Sequence, residues 1–173
     1  MTDIWFISDT HFFHANILKF HDKTGKRTRP EFQSLEEMHE ALRDNWNTRV
    51  KPQDKIYHLG DVTFQYHAPF QNLMSRLNGH KRLVVGNHDK LKQPGLVKWF
   101  EKIELWRGFK SENFTCSHLP LRLDGLRDGQ FNVHGHTHQN NLSDPHYINI
   151  CVEQTGYKPL HMDEVKSIIA SRM

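Results

Sequence analysis

Asp9 and His11, Asp61, Asn87 and His88, His118, and His136 and His138 are the side chains of this chain best suited to chemistry. Each block follows a short apolar run, so five strand-like segments in succession end in a carboxylate, an amide or an imidazole. Gly86-Asn87-His88-Asp89, directly after Lys81–Val85, is the clearest case. A β-branched strand that stops at glycine reads as one delivering polar groups to the carboxyl edge of a sheet, where open α/β sheets place their ligands. Asp9/His11 and His136/His138 are spaced by two, so from extended backbone both members project to the same side. Taken singly, a block reads equally well as an Asn/Asp turn, a capping Asp or a satisfied core histidine. Taken together, eight groups of carboxylate, amide oxygen and imidazole without thiolate suit borderline divalent ions such as Mn²⁺, Fe²⁺ and Zn²⁺. Eight are too many for one tetrahedral ion and suit two adjacent ones. Two ions about 3.5–4 Å apart can clamp the attacking and leaving oxygens of a phosphoryl centre, and they lower the pKa of a bridging water enough to give a hydroxide nucleophile near neutral pH.

The elements that must carry these blocks are legible as alternating strands and helices. Strands are expected at Asp3–Ile7, Lys55–Leu59, Lys81–Val85, Ile103–Trp106, Asn113–Ser117, Gln130–Val133 and Tyr147–Val152. Ser34-Leu35-Glu36-Glu37 is a capping-box pattern opening a helix through about Val50, with Leu35, Met38, Leu42, Trp46 and Arg49 as its packing stripe. Pro69–Leu77 predicts a second helix, Gly95–Lys102 a third amphipathic stretch and Met162–Ser171 a closing helix. Phe12–Leu18 reads as the opening of a short helix and Thr24–Pro30 as a basic loop. No repeat or linker divides the chain, so one domain over 1–173 is expected.

At 173 residues such a domain buries roughly 70% of its unfolded surface without staples. A hydrophobic fraction of 36% and a mean hydropathy of −0.73 suit a compact polar enzyme rather than a membrane protein, and no apolar run approaches the roughly 20 residues of a bilayer span. The opening Met-Thr-Asp-Ile-Trp has neither a basic nor an apolar leader region, and Cys116 and Cys151 are too few for a disulfide framework. Both points direct the protein to a reducing cytoplasm, with buried free thiols. The net charge of +3 is compatible with anionic substrates but is poor support for a nucleic-acid surface. Fourteen histidines, spread along the chain and so not a tag, ask for a metal or proton-transfer explanation.

The pattern Asp9-x-His11, Gly60-Asp61, Gly86-Asn87-His88-Asp89, His118, Gly135-His136-Thr137-His138 resembles the calcineurin-like metallophosphoesterases over nearly the whole chain. It is most similar to the small single-domain bacterial and phage members, where openings like Ser8–Ile17 and endings like Val152–Pro159 recur. The resemblance implies an α/β fold of two facing mixed β-sheets flanked by helices, the four-layer metallophosphoesterase sandwich. It also implies a first metal held by Asp9, His11 and His138, and a second held by Asn87, His118 and His136. Asp61 would bridge the two, as a carboxylate with two oxygens. His88 would then stabilise or protonate the leaving oxygen, with Asp89 fixing its tautomer.

Around these, His14 and Arg29 are candidate substrate contacts, each with a plain surface role as alternative. His58 and His134 are either groups that orient ligands or satisfied core histidines. The expected activity is hydrolysis of a phosphodiester or phosphomonoester of a nucleotide-like substrate, using two divalent ions, Mn²⁺ first, with Fe, Zn or Ni as alternatives. A noncatalytic metal-binding scaffold of the same fold and a DNA or RNA nuclease are the rivals. Nuclease relatives usually add a capping domain for which the chain has no room, but nucleic acid stays open as a partner, as does the oligomeric state.

Overall fold

A computed structural model describes residues 2–22 and 24–173. Met1, with which the leader-free reading of the amino terminus begins, and Lys23 lie outside them. Two mixed sheets face one another. In the first, β1 (Ile4–Ile7), β2 (Lys55–His58), β3 (His80–Val84) and β4 (Lys102–Glu104) run parallel in the order β4-β3-β2-β1. A two-residue strand, β9 (Leu160–His161), closes the other edge antiparallel to β1. The second sheet holds β5 (Trp106–Phe109), β6 (Phe114–Ser117), β7 (Phe131–His134) and β8 (Tyr147–Asn149) in that order, with β5 antiparallel and the rest parallel.

The first sheet is apolar on both faces, which is why its strands lack clean polar alternation. Trp5, Ile7, Ile56 and Leu83 turn outward to a core completed by Met38, Leu42 and Trp46 of α1 (Leu35–Arg49). Phe70, Leu73 and Met74 of α2 (Ala68–Ser75) and Leu96 of the single-turn α3 (Pro94–Val97) join the same cluster. Phe6, Tyr57 and Val84 turn inward, against Phe114, Cys116, Phe131, Val133 and Ile148 of the second sheet. Val165 and Ile169 of α4 (Met162–Ala170) seal that inner core.

Several local expectations need correction. Ser34 Oγ caps α1 by accepting from Glu37 N at 3.1 Å, but the Glu37 carboxylate accepts from Gln33 N at 2.8 Å, so only half of the capping box forms. Arg49 does not pack in the core stripe. It pairs with Glu164 at 2.6 Å and lies over the Trp5 ring. The strand expected over Ile103–Trp106 is two strands, because the chain changes sheets at exposed Leu105. The one expected over Tyr147–Val152 stops at Asn149, whose Oδ1 accepts from Cys151 N at 3.0 Å. The chain then crosses to β1, where Val152 N donates to Ser8 O at 3.2 Å.

Cys116 and Cys151 are buried free thiols. Among the described residues no helix is long and apolar enough to cross a membrane.

Candidate metal centre

The topology brings the five blocks to one place. Residues 8–11, 60–61 and 86–89 follow the carboxyl ends of β1, β2 and β3, which are parallel neighbours, while His118 and 135–138 follow the parallel pair β6 and β7. The local backbone there is not extended. Asp9, His11, Asp61, His136 and His138 have φ of 59°, 49°, 55°, 69° and 49°. The i, i+2 pairs therefore do not converge along a strand, as their spacing suggests; each strand has ended before its ligands begin. Left-handed backbone is unfavourable for residues with a Cβ and persists only where surrounding contacts over-determine it.

Those contacts are visible. Asp9 N donates to Gly60 O and His11 N to Asp61 O, both at 3.0 Å, which locks the first two loops together. Asp89, expected to set the His88 tautomer, has a different job. Its carboxylate accepts from Gly86 N at 2.8 Å, Asp61 N at 2.9 Å and Val62 N at 3.0 Å, so it ties the second loop to the third and has no bond to the His88 ring. Burial, the largest influence, pushes its pKa up to about 6 despite those donors. Gly135 lies so close to the first loop that a Cβ there would collide with Ser8 Oγ and Asp9 Oδ2. His58 accepts from Gly60 N on Nδ1 at 3.2 Å, so its Nε2–H is free to donate to Thr10 Oγ1 at 2.9 Å, which in turn donates to Val62 O. His58 thus braces ligand-bearing backbone, whereas His134 Nδ1 donates only to the neighbouring Gly135 O, at 2.8 Å.

Two sets of side chains result. Asp9, His11 and His138 form one, Asp61, His118 and His136 the other, and within each set the ligand atoms lie within 4.8 Å of one another. Asp61 Oδ2 is 3.6 Å from His11 Nε2 and 3.4 Å from His118 Nε2, so it stands between the sets. Its other oxygen, Oδ1, accepts from His88 N at 2.9 Å, which anchors the third loop on the same carboxylate. Asn87 Oδ1 is 2.9 Å from His118 Nε2, beside the second set.

The donor chemistry suits divalent cations. Asp9 Oδ1 and His11 Nε2 are buried with no hydrogen-bond partner, an expensive state for polar atoms unless something else binds them. Asp9 Oδ2, by contrast, is saturated by Ser8 Oγ, His136 N at 2.9 Å and Cys151 Sγ at 3.2 Å, which aims Oδ1 at the site. Burial works to raise the Asp9 pKa, but the His11 ring, whose Nε2 stands 3.6 Å from Oδ1, and the nearby His118 and His138 imidazoles hold it well below the usual carboxylate range. His118 Nδ1 donates to Leu59 O at 2.7 Å and His138 Nδ1 to Glu153 Oε1 at 2.9 Å, leaving Nε2 of each facing the centre. Burial opposes protonation of His118, yet hydrogen bonding to Asp61 and the carboxylate charges raise its pKa to about 9.

The remaining candidates sit as follows. His88 is exposed at the rim, its ring 4.9 Å from Phe64 and 6.1 Å from His11. His14 also stacks on Phe64, at 3.8 Å, with Nδ1 3.4 Å from His11 Nδ1; burial and neighbouring imidazoles lower its pKa to about 4. Arg29 does not reach substrate space. It is fully buried, donating to Asp9 O at 2.6 Å, Thr10 O at 3.0 Å and Glu153 Oε1 at 2.8 Å, so its fork braces the first loop from behind. Residue-by-residue reading missed Glu153, Ser8, Cys151 and Phe64. Only the first two carried any signal, since both lie inside the motif-like stretches Ser8–Ile17 and Val152–Pro159.

A family model described as calcineurin-like phosphoesterase matches residues 2–166. An uncharacterized protein of Methanocaldococcus jannaschii, MJ1445, is 35% identical over 98% of this chain and 92% of its own length. The Gene 66 protein of Mycobacterium phage D29 is 25% identical over 98% of this chain and 96% of its own. Among solved structures, a protein of unknown function from Aquifex aeolicus, AQ665, aligns over 97% of this chain and all of its own with a TM-score of 0.75 and 28% identity.

Proposed function

The chain belongs to the calcineurin-like phosphoesterase family, and on that premise we propose that it is a dinuclear metal-dependent phosphoesterase acting on diesters and monoesters of nucleotide-like alcohols. The observation that carries this reading is the pair of buried, unpartnered atoms Asp9 Oδ1 and His11 Nε2, in a set joined to a second set through Asp61 Oδ2. Asp9, His11 and His138 would hold one ion, Asn87, His118 and His136 the other, and Asp61 both. Two divalent ions held there, Mn²⁺ as the expected pair, would supply Lewis acidity toward phosphoryl oxygens and lower the pKa of an attacking water.

The chain's own groups do the rest. Glu153 and Leu59 O keep His138 and His118 in the tautomers that present Nε2. His88, anchored by its backbone N–H on Asp61 Oδ1, stands at the solvent edge and supplies a proton or hydrogen bond to the departing ester oxygen. Asp89 holds that loop rather than the imidazole. The buried free thiols suit a reducing compartment, which favours the cytoplasm.

Turnover of bis-p-nitrophenyl phosphate and p-nitrophenyl phosphate by the Mn²⁺-loaded protein tests the reading. Both should react, and His88→Ala should lower turnover about 10²–10³-fold while metal content stays the same. Reaction of the monoester alone would remove the diesterase part. Equal turnover in the variant would remove the role of His88, and inertness of metal-replete protein toward a broad phosphoester panel would leave a binding scaffold instead.

A further inference from the structure

Next to the candidate centre lies an apolar hollow to which none of these roles extends. It is about 280 Å³ and is walled by Val85, Leu105, Trp106, Leu119 and Leu121, with the candidate ligand His118 in the same wall. Leu105, Trp106 and Leu119 are 67%, 61% and 49% exposed, a concentration of large apolar side chains that solvent alone does not favour. Strand register accounts for the placement. Trp106 of β5 pairs with Ser117 of β6, one residue before His118, so the indole stands beside the ligand-bearing turn. The rim is held in shape. Ser117 Oγ donates to Leu119 O at 2.7 Å, Leu121 N to Asn132 Oδ1 at 2.8 Å and Tyr147 Oη to Leu121 O at 2.8 Å. Leu119 is therefore exposed on braced backbone, and a ligand meeting it has little ordering to do. On the other side of Val85 lies a second cavity, lined by Asp89, Lys90, Leu91, Lys92 and Gln93, which sets two lysines and one carboxylate beyond that shared wall.

We propose that this hollow seats a flat aromatic group of the phosphoester, such as a nucleobase, against the indole of Trp106 while the phosphoryl group lies at the centre. The proposal rests on the phosphoesterase reading and names its substrate class. A volume at the small end of ligand pockets fits one ring-bearing group rather than a polymer. Sharing the His118 wall sets the hollow next to the candidate centre, and stacking accepts any base because every base has a π-face. A second copy of the chain covering the same side chains is the competing occupant.

The test uses the full Mn²⁺-loaded chain with adenosine 5′-monophosphate and inorganic phosphate as inhibitors of bis-p-nitrophenyl phosphate hydrolysis. Adenosine monophosphate should inhibit at a concentration about tenfold lower than phosphate. Trp106→Ala should abolish that preference and Trp106→Phe retain most of it. In parallel, adenosine monophosphate but not phosphate should quench tryptophan emission, and the quenching should vanish in Trp106→Phe. Equal inhibition by the two compounds in the parent protein, or an unchanged preference in Trp106→Ala, overturns the proposal. So does a dimer in sedimentation that dissociates in Trp106→Ala without altered inhibition. If no phosphoester is hydrolysed, the phosphoesterase reading fails separately and the emission titration still decides the hollow.

Discussion

At the scale of single residues, the most informative contact is the one between Glu153 and His138. A carboxylate on the far ring nitrogen of a metal-facing histidine fixes its tautomer and raises its basicity, and losing such a partner typically costs 10–100-fold in metal affinity. Glu153→Gln should weaken metal binding by about that factor in a calorimetric titration, with the far-ultraviolet circular dichroism unchanged. Unaltered affinity would reduce Glu153 to a counter-ion for Arg29. The candidate ligands themselves were readable because their types are rare and their order is regular. Arg29 was not, because a charge in a basic stretch reads as solvated until its partner is known, and that partner is 124 positions away. Asp89 departs from the role that the resemblance implied, because its oxygens turn to the backbone of two strand ends and not to the His88 ring.

At the scale of elements, the junction of the two sheets sets the site. Gly135 must approach Ser8 and Asp9 so closely that no side chain fits, which lets the turn after β7 reach the turn after β1. Gly135→Ala should therefore separate His136 and His138 from Asp9. The expected outcome is loss of at least tenfold in metal affinity, with destabilisation of about 1–3 kcal/mol in urea denaturation, the usual range for overpacking. Wild-type metal content in that variant would contradict the close approach. Strands and long helices were legible because β-branched runs and a 3.6-residue stripe leave strong patterns. The sheet change at Leu105 was not, since the strand-like run Ile103-Glu104-Leu105-Trp106 looks the same whether it stays in one sheet or passes to another. Nor did the spacing of Asp9 and His11 disclose left-handed backbone, which depends on rungs to residues some fifty positions away.

At the scale of the whole molecule, His39, buried away from the centre, contributes to the response to acid, beside His14 and His58, whose pKa values are also lowered. Burial lowers the pKa of His39 to about 4, and its Nε2 accepts from Phe13 N at 2.9 Å, so the folded chain keeps it neutral. The unfolded chain protonates it near 6.5. Stability from this group is therefore complete above pH 6.5 and falls as the pH drops toward 4, by about 2 kcal/mol at pH 5. Urea midpoints of chelator-treated protein at pH 7 and pH 5 should differ accordingly, and His39→Gln should shrink the difference. An equal loss in the variant would assign the acid sensitivity elsewhere. His118 does not confuse this window, because its raised pKa makes its contribution complete below 6.5 and lost only as the pH climbs toward 9.

The single oxygen of Asp61 that faces both His11 and His118 has a consequence for loading. On the proposed two-cation reading the receptacles would share an anchor and could not fill independently: the first guest would draw electron density from the oxygen, and the second would meet a weaker base. One cation should be retained through dialysis and the other shed, so stoichiometry would drift with handling. Equilibrium dialysis resolving two equal, uncoupled steps would rule this out.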